Sequence, residues 1–165
     1  MRKGTRAGIG YDAHRFVEGR PLIIGGVKLP YWKGLEGHSD ADVLSHAIGD
    51  AILGAMSLGD IGKHFPDTDP AFKGISSLEL LKRISSIISK NGGEITNVDS
   101  TVVLEEPRLS PYTTQMRKKI ADALAVPEDA VCVKATTTEG LGATGRKEGI
   151  AAYAIAVVEV SGSPT

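Results

Sequence analysis

Three side chains of the types that bind divalent metals occur in two separate segments of this sequence. Asp12 and His14 are two residues apart in a segment that alternates like a β-strand, so both side chains point to one face. His46 lies in a predicted helix further along the chain. Two imidazoles and one carboxylate suit a zinc ion and leave a fourth position open for substrate. The alternative is a chance Asp-x-His pair and a hydrogen-bonded core histidine, because spacing alone does not bring the three residues together.

The residues around His46 predict how its ring is held and what binds beside it. Asp42 precedes His46 by four positions, so the carboxylate is predicted to face the imidazole and orient it. An ordinary solvent-exposed pair is the alternative. His38 and Ser39 stand just before the helix, where free backbone N–H groups and the positive end of the helix dipole favour a phosphate. For Ser39, a simple helix cap is the alternative.

A run of hydroxyl and acidic side chains ends a predicted strand later in the chain. Residues 134–139 read Lys-Ala-Thr-Thr-Thr-Glu and lead into a glycine-rich stretch at 140–142. One or two of the threonines can face a phosphate, and Glu139 can hold a hard divalent ion such as magnesium. A polar edge strand without a ligand is the alternative. The loop at 60–69 is polar, and its aspartates are predicted either to bind substrate hydroxyls or to form turns.

Strands and helices that would position these side chains alternate along the chain. Three helices are predicted, one capped by Ser39 or Asp40, one with a capping box at Ser76 and Glu79, and one that starts at Ser110-Pro111. The helices end near Leu58, Asn91 and Ala125, and the predicted strands are 6–14, 22–29, 95–105, 130–136 and 150–160. This order predicts an α+β two-layer sandwich, a mixed sheet with helices packed on one face, as a single domain of residues 1–165.

The composition narrows the class of protein. The chain has 165 residues and a formal net charge of −1, which argues against broad nucleic-acid binding. Its single cysteine, Cys132, excludes an internal disulfide and favours a reducing compartment. Because Cys132 lies in an apolar run, we predict a buried structural thiol. No run approaches the roughly 18 apolar residues of a membrane span, so we expect a cytoplasmic protein, or a plastid protein after removal of a transit peptide.

A series of short motifs extends these local patterns over almost the whole chain. They are Gly-Tyr-Asp12-Ala-His14, Ile-Ile-Gly-Gly-Val27, Gly37-His-Ser-Asp-Ala-Asp42 with Val43-Leu-Ser-His46, Gly59-Asp-Ile-Gly62, Phe65-Pro-Asp-Thr-Asp69, Asn97-Val-Asp99, Lys134-Ala-Thr-Thr-Thr-Glu139, and Gly145-Arg146 with Glu148-Gly-Ile-Ala151. Each motif alone is modest evidence, but the ordered set, from about Gly8 to Val158, is highly specific. It resembles the 2-C-methyl-D-erythritol 2,4-cyclodiphosphate synthase family.

The resemblance implies a reaction and two metal ions. Asp12, His14 and His46 would hold zinc, and Glu139 with the substrate phosphates would hold magnesium or manganese. The reaction would be an intramolecular phosphoryl transfer of the lyase type in the non-mevalonate isoprenoid pathway. It would convert 4-diphosphocytidyl-2-C-methyl-D-erythritol 2-phosphate to 2-C-methyl-D-erythritol 2,4-cyclodiphosphate plus CMP. A zinc-dependent phosphohydrolase and a non-catalytic isoprenoid-diphosphate-binding protein are the alternatives.

The resemblance also implies an assembly and roles for further residues. The family is a homotrimer whose neighbouring subunits share each site, with Arg146 and Glu148 near a central channel that an isoprenoid diphosphate is a candidate to occupy. His38 and Thr137 match positions that stabilise the transition state. Ala143 stands where some members have phenylalanine, which loosens one wall of the site or the channel mouth. The implied substrate-binding residues are Asp12, His14, His38, Ser39, Asp60, Ile61, Gly62, Phe65, Asp67, Asp69, Leu104, Pro107, Ser110, Thr136, Thr137, Thr138, Glu139 and Arg146.

Overall fold

The structure, a computed structural model, describes residues 3–161. Within that range the strands are β1 (Gly4–Glu18), β2 (Leu22–Ile24), β3 (Val27–Leu29), β4 (Lys33–Leu35), β5 (Gly93–Val103), β6 (Val131–Thr136) and β7 (Gly149–Val160). The helices are α1 (Val43–Ala55), α2 (Ile61–His64), α3 (Ser77–Lys90), α4 (Thr113–Leu124) and α5 (Gly142–Gly145), with short 3-10 helices at Pro70–Phe72 and Glu128–Ala130. No helix in the described range is long and apolar enough to cross a lipid bilayer.

A mixed five-stranded sheet forms one layer, and helices cover one of its faces. The strand order is β4-β1-β7-β5-β6, and β2 and β3 form a separate hairpin. Neighbouring strands are antiparallel except β5 and β6, which are parallel. The helix-facing residues of the strands join those of α1, α3 and α4 in one buried apolar cluster. This confirms the predicted α+β sandwich with a mixed sheet.

Two helices begin later than predicted. α1 begins after Asp42, later than either predicted cap, because the buried Asp42 carboxylate accepts a hydrogen bond from the backbone N–H of Ser45. α4 begins at Thr113, since residues 110–112 form a separate turn before the helix. In both cases a local signal for a helix start was present, but the helix begins a few residues after it.

The cap of α3 comes from a distant loop instead of the predicted capping box. The side chain of Ser76 makes no capping hydrogen bond. The carboxylate of Asp40 instead accepts a hydrogen bond from the backbone N–H of Ser77, at 2.9 Å. Asp40 lies 37 positions before Ser77, so no local sequence pattern could reveal this contact.

Cys132 is exposed, and the prediction of a buried thiol is wrong. The residue lies on β6, the last strand of the sheet, where Val131 is buried and the next side chain points to the opposite face. Successive side chains of a strand alternate between faces. The apolar neighbours of Cys132 therefore indicated a strand but not which face the thiol occupies.

Strand β1 and helix α1 approach each other to backbone contact. Gly8 and Gly10 lie on the face of β1 that meets α1, and a methyl group on Gly10 would overlap the carbonyl oxygen of Ala47. A methyl group on Gly8 would overlap the carbonyl oxygen of Ala51 in the same way. Glycine within a strand commonly marks such a close backbone approach. The contact sets how far α1 stands from the residues that follow Gly10 on β1.

Replacing Gly10 by alanine tests this contact. We predict that Gly10→Ala lowers the free energy of unfolding by about 2–3 kcal/mol, because the methyl group overpacks the interface and pushes α1 outward. Gly54→Ala, on the helix side of this contact in α1, is the matched control. The methyl group added there would lie 3.8 Å from the nearest non-local atom, the carbonyl oxygen of Ile9. That variant should be unchanged or up to about 1 kcal/mol more stable. Urea denaturation measures both, and equal losses would contradict the proposed constraint.

Candidate active site

Asp12, His14 and His46 converge on one point at the junction of β1 and α1. Oδ2 of Asp12 lies 2.7 Å from Nε2 of His14 and 3.0 Å from Nδ1 of His46. The two imidazole nitrogens are 3.3 Å apart. All three candidate ligand atoms thus lie within 4.8 Å of one another, as a shared metal ion requires. The side chains are partly buried, so the point they surround remains accessible from the solvent.

The donor set fits a tetrahedral metal such as zinc. Bonds of 2.0–2.1 Å in a tetrahedron place ligand atoms about 3.3 Å apart. The three pairs of candidate ligand atoms lie 2.7, 3.0 and 3.3 Å apart, so a small opening of the Asp12–His14 pair would admit the ion. Nδ1 of His14 lies 2.6 Å from the carbonyl oxygen of Glu36, which can only accept, so Nδ1 carries the proton. In the neutral imidazole, Nε2 therefore directs its lone pair at the Asp12 carboxylate, whereas a protonated Nε2 donates a hydrogen bond to that carboxylate. Electron pairs that converge in this way need a cation or a shared proton between them.

The electrostatics of the cluster agree with a cation-binding role. Burial alone would raise the pKa of Asp12, but hydrogen bonds and charge interactions with His14 and His46 outweigh it and lower the pKa to about 2. Burial likewise opposes a charged His14, yet the hydrogen bond and negative charge of Asp12 raise its pKa above the ordinary value. Asp12 is therefore an anion at neutral pH, ready for a positive partner.

Asp42 does not orient His46, and both sequence readings of this pair are wrong. Asp42 is fully buried, and its carboxylate accepts hydrogen bonds from the backbone N–H groups of Gly25 and Gly26 at 2.9 and 2.7 Å. It also accepts from the hydroxyl of Ser45, at 2.8 Å. Because this carboxylate occupies the N-terminus of α1, the helix end is not free for the predicted phosphate. A phosphate near this helix end would therefore contact the side chains of His38 and Ser39 and not the helix terminus.

A cleft of about 380 Å³ opens beside the cluster. Many of the predicted site residues line it together with apolar side chains from the loop that follows α1. The lining residues are His14, Gly37, His38, Ser39, His46, Ile61, Gly62, Phe65, Pro66, Asp67, Phe72, Ile75 and Leu80. Asp60 and Asp69 are not among them, since they cap short helices by accepting from the N–H groups of Lys63 and Ala71.

Two side chains that sequence reasoning missed hold the walls of this cleft. The guanidinium of Arg20 donates to the carbonyl oxygens of Gly37 and Ser39, at 2.5 and 2.7 Å, and fixes the loop between them. Asp50 accepts from the backbone N–H of Ile61 at 2.8 Å and anchors the start of α2. Burial raises the pKa of Asp50. Its position four residues after the candidate ligand on α1 was the signal that could have identified it.

A second cleft, of about 430 Å³, lies at the other end of the sheet. It contains several of the residues implied in substrate binding. Its lining residues are Leu104, Glu105, Pro107, Arg108, Leu109, Ser110, Ala135, Thr136 and Thr137. The peptide bond between Glu106 and Pro107 is cis. The segments 104–110 and 134–139 thus meet in space, as the parallel pairing of β5 and β6 requires.

The turn that carries Glu139 is held beside the second cleft by Glu105. Its carboxylate accepts hydrogen bonds from the backbone N–H groups of Thr138 and Gly140, at 3.1 and 3.3 Å. The hydroxyl of Thr137 accepts from the N–H of Glu139, at 3.2 Å. Glu139 has a φ of 53°, and its side chain is exposed at the rim of the turn.

The two clefts share no lining residue and stand apart on the sheet. The strand register places Asp12, Ala152, Val102 and Ala135 in one row. Asp12 is therefore three strand spacings from β6, or about 14 Å. Glu139 is not in the metal-ligand cluster of its own chain. Arg146 lies outside both clefts, is exposed and pairs with Glu148 at 2.9 Å.

A family model and curated relatives match nearly the whole chain. The model of the YgbB family matches residues 5–159. A 2-C-methyl-D-erythritol 2,4-cyclodiphosphate synthase from Alkaliphilus oremlandii is 61% identical over 153 residues, 93% of this chain and 98% of the relative. The enzyme of the same name from Pelotomaculum thermopropionicum is 57% identical over 157 residues, 95% of this chain and 97% of the relative.

Solved structures give the same result. The bifunctional IspDF of Campylobacter jejuni superimposes with a TM-score of 0.92 at 43% identity, over 97% of this chain and 43% of the longer bifunctional chain. The CDP complex of IspF from Plasmodium falciparum has a TM-score of 0.85 at 33% identity, over 98% of this chain and 100% of that one. The chain therefore belongs to the YgbB family, the family of the 2-C-methyl-D-erythritol 2,4-cyclodiphosphate synthases.

Proposed function

We propose that the two clefts, from neighbouring subunits, together bind one molecule of 4-diphosphocytidyl-2-C-methyl-D-erythritol 2-phosphate. The family activity is the closure of this substrate to 2-C-methyl-D-erythritol 2,4-cyclodiphosphate with release of CMP, a lyase reaction of isoprenoid precursor synthesis. The convergence of Asp12, His14 and His46 beside the first cleft is the observation that carries the proposal. The single exposed cysteine suits the reducing cytoplasm that we propose as its location.

The metal ligands divide between the two clefts in this proposal. Asp12, His14 and His46 would hold zinc, and Glu139 would hold magnesium or manganese together with phosphate oxygens. Two divalent ions in such a site withdraw charge from the reacting phosphate and stabilise the departing CMP. A single carboxylate suits the second ion, because magnesium usually takes one or two carboxylates and fills its other positions with phosphate and water.

The protein side chains position the substrate and need not act as a base. The attacking 2-phosphate oxygen is already an anion, so the barrier lies in repulsion between anions and in folding back a flexible chain. The first cleft, with Ile61 and Phe65 on its walls, would hold the erythritol portion, and the second would hold the cytidine. Orienting attacker and phosphorus can contribute up to roughly 7–11 kcal/mol. His38 and Thr137 would donate hydrogen bonds as charge shifts in the transition state, with no covalent intermediate.

A homotrimer would complete each site. Within one chain, about 14 Å separates the metal cluster from the threonine run, three strand spacings away. The sheet face opposite the helices also carries exposed apolar side chains, namely Ile9, Tyr11, Tyr153 and Ile155. Contiguous exposed apolar surface of this kind marks an interface with another protein. We propose that this face lies against neighbouring subunits, with Arg146 near a central channel that an isoprenoid diphosphate could enter.

Thermal unfolding tests the zinc ligands. Free zinc at about a hundredfold excess over its Kd should stabilise the protein by about 2.7 kcal/mol. That corresponds to a rise in Tm of about 5–10 °C for a chain of this size. His46→Ala should abolish the rise because it removes one of three ligands. His38→Ala, which changes a histidine of the same cleft outside the cluster, should retain it. A full rise in His46→Ala would exclude this zinc site.

Product analysis in isotopically labelled water tests the reaction itself. With the cytidyl substrate and both metals, we expect CMP and a cyclic diphosphate without solvent oxygen, because the nucleophile belongs to the substrate. A phosphohydrolase would instead place labelled oxygen in the product. His46→Ala should reduce CMP release by about a hundredfold or more, the effect of losing several kcal/mol of metal stabilisation. Labelled, uncyclised product would favour the hydrolase, and binding without turnover the non-catalytic alternative.

Mixing two inactive variants tests whether each site is shared. In a trimer of His46→Ala and Glu139→Gln subunits, an intact first cleft from one chain can meet an intact second cleft from the other. Random assembly at equal amounts should restore about a quarter of the native activity. Each variant refolded alone, at the same total concentration, is the control. Activity of the mixture no higher than that of the single variants would show that both clefts of a site come from one chain.

A further inference from the structure

A buried hydroxyl lies behind the candidate zinc ligand on α1. Nε2 of His46, the ring nitrogen that faces away from Asp12, is 2.9 Å from Oγ of Ser77. The same Oγ is 2.5 Å from Oδ1 of Asp40. Ser77 is only 1% exposed, so substrate in the cleft does not reach it. The side chain of Ser77 therefore joins His46 of the candidate metal cluster to the start of α3, and the proposed reaction does not use it.

The direction of these hydrogen bonds follows from the groups involved. An ionised carboxylate only accepts, so the hydroxyl proton of Ser77 must point to Asp40. The Ser77 oxygen then presents a lone pair to His46 and has to accept a proton from Nε2–H. In a neutral His46, Nδ1 is consequently unprotonated, and it is the nitrogen 3.0 Å from the Asp12 carboxylate. The Oγ of Ser39, 3.2 Å from the same Nε2, is a weaker second contact.

The hydroxyl is not needed to cap α3. The backbone N–H of Ser77 already donates to Oδ2 of Asp40, and this contact remains if the side chain is removed. A cap also does not require the hydroxyl to contact a histidine on another helix. Since His14 receives the equivalent support from the carbonyl of Glu36, each imidazole of the cluster has one partner that fixes its proton on the outer nitrogen.

We propose that Ser77 is a positioning residue of the metal centre, which with Asp40 holds His46 as the tautomer that presents Nδ1 to the cation. The inference rests on the proposed zinc site but adds to it Ser77 of α3 and Asp40 of the loop before α1. Without the Ser77 acceptor, the imidazole can rotate or place its proton on Nδ1, where the proton blocks the metal. Groups in this position typically contribute tenfold to a hundredfold to metal affinity.

Zinc affinity, measured by competition with a chromogenic chelator, tests the proposal. Ser77→Ala should weaken zinc binding by about tenfold or more. Ser76→Ala is the matched control: it removes a neighbouring hydroxyl that makes no capping hydrogen bond, and its zinc affinity should equal that of the native chain. If Ser77 only stabilises α3, Ser77→Ala will lower Tm but leave zinc affinity unchanged, and that result would overturn the proposal.

The tautomer itself can be read by NMR without metal. In the zinc-free native protein, at a pH where the imidazoles are neutral, long-range ¹H–¹⁵N spectra should show His46 protonated at Nε2. Asp40→Asn preserves volume but lets its amide donate to Ser77, which frees the hydroxyl proton and should produce a population protonated at Nδ1. An Nδ1–H tautomer in the native chain would exclude the inference whether or not zinc binds. A native chain with Nε2–H but no affinity for zinc would instead refute the proposed metal site.

Discussion

The close contact between β1 and α1 determines the geometry of the candidate metal-ligand cluster of Asp12, His14 and His46. Gly8 and Gly10 lack side chains where the backbone of α1 passes, and Ala47 supplies only a methyl group on the helix side. Asp12 follows two residues after Gly10 on the same face of β1, and His46 directly precedes Ala47. Because the two backbones touch, short side chains from the strand and the helix reach one point. Larger residues at the contact would separate the ligands by more than a metal ion can bridge.

Helix caps in this fold also serve the site. The Asp42 carboxylate caps α1 and ties it to Gly25 and Gly26 of the hairpin, so the base of the helix cannot shift. Asp40, two residues earlier, caps α3 and orders the hydroxyl behind His46. One short acidic segment thus anchors a hairpin and two helices around the cluster. The buried Asp42 carboxylate is tolerated because backbone and hydroxyl donors satisfy it.

Much of this could be predicted from the sequence, and the errors have physical causes. Period-two spacing correctly predicted that Asp12 and His14 share one face of β1, and helical periodicity identified α1. The four-residue spacing of Asp42 failed because a cap residue has extended backbone angles, here φ −70° and ψ 91°, and the helical rule does not apply to it. Cys132 was misassigned because the face of a strand depends on the sheet order. Ser77 was missed because its partner, Asp40, is remote in sequence.

In the proposed function, the separation of the two clefts makes catalysis depend on assembly. The strand register aligns Asp12 on β1 with Ala135 on β6. Strands β7 and β5 lie between them in the same hydrogen-bonded sheet and keep them apart. No side-chain movement closes a gap of three strand spacings. In the proposed trimer, burial of the exposed apolar face around Tyr11 and Tyr153 would provide free energy for a neighbouring subunit to bind. If that neighbour supplies the second cleft, the apolar face must dock in the one orientation that also brings the neighbour's second cleft to the first cleft of this chain.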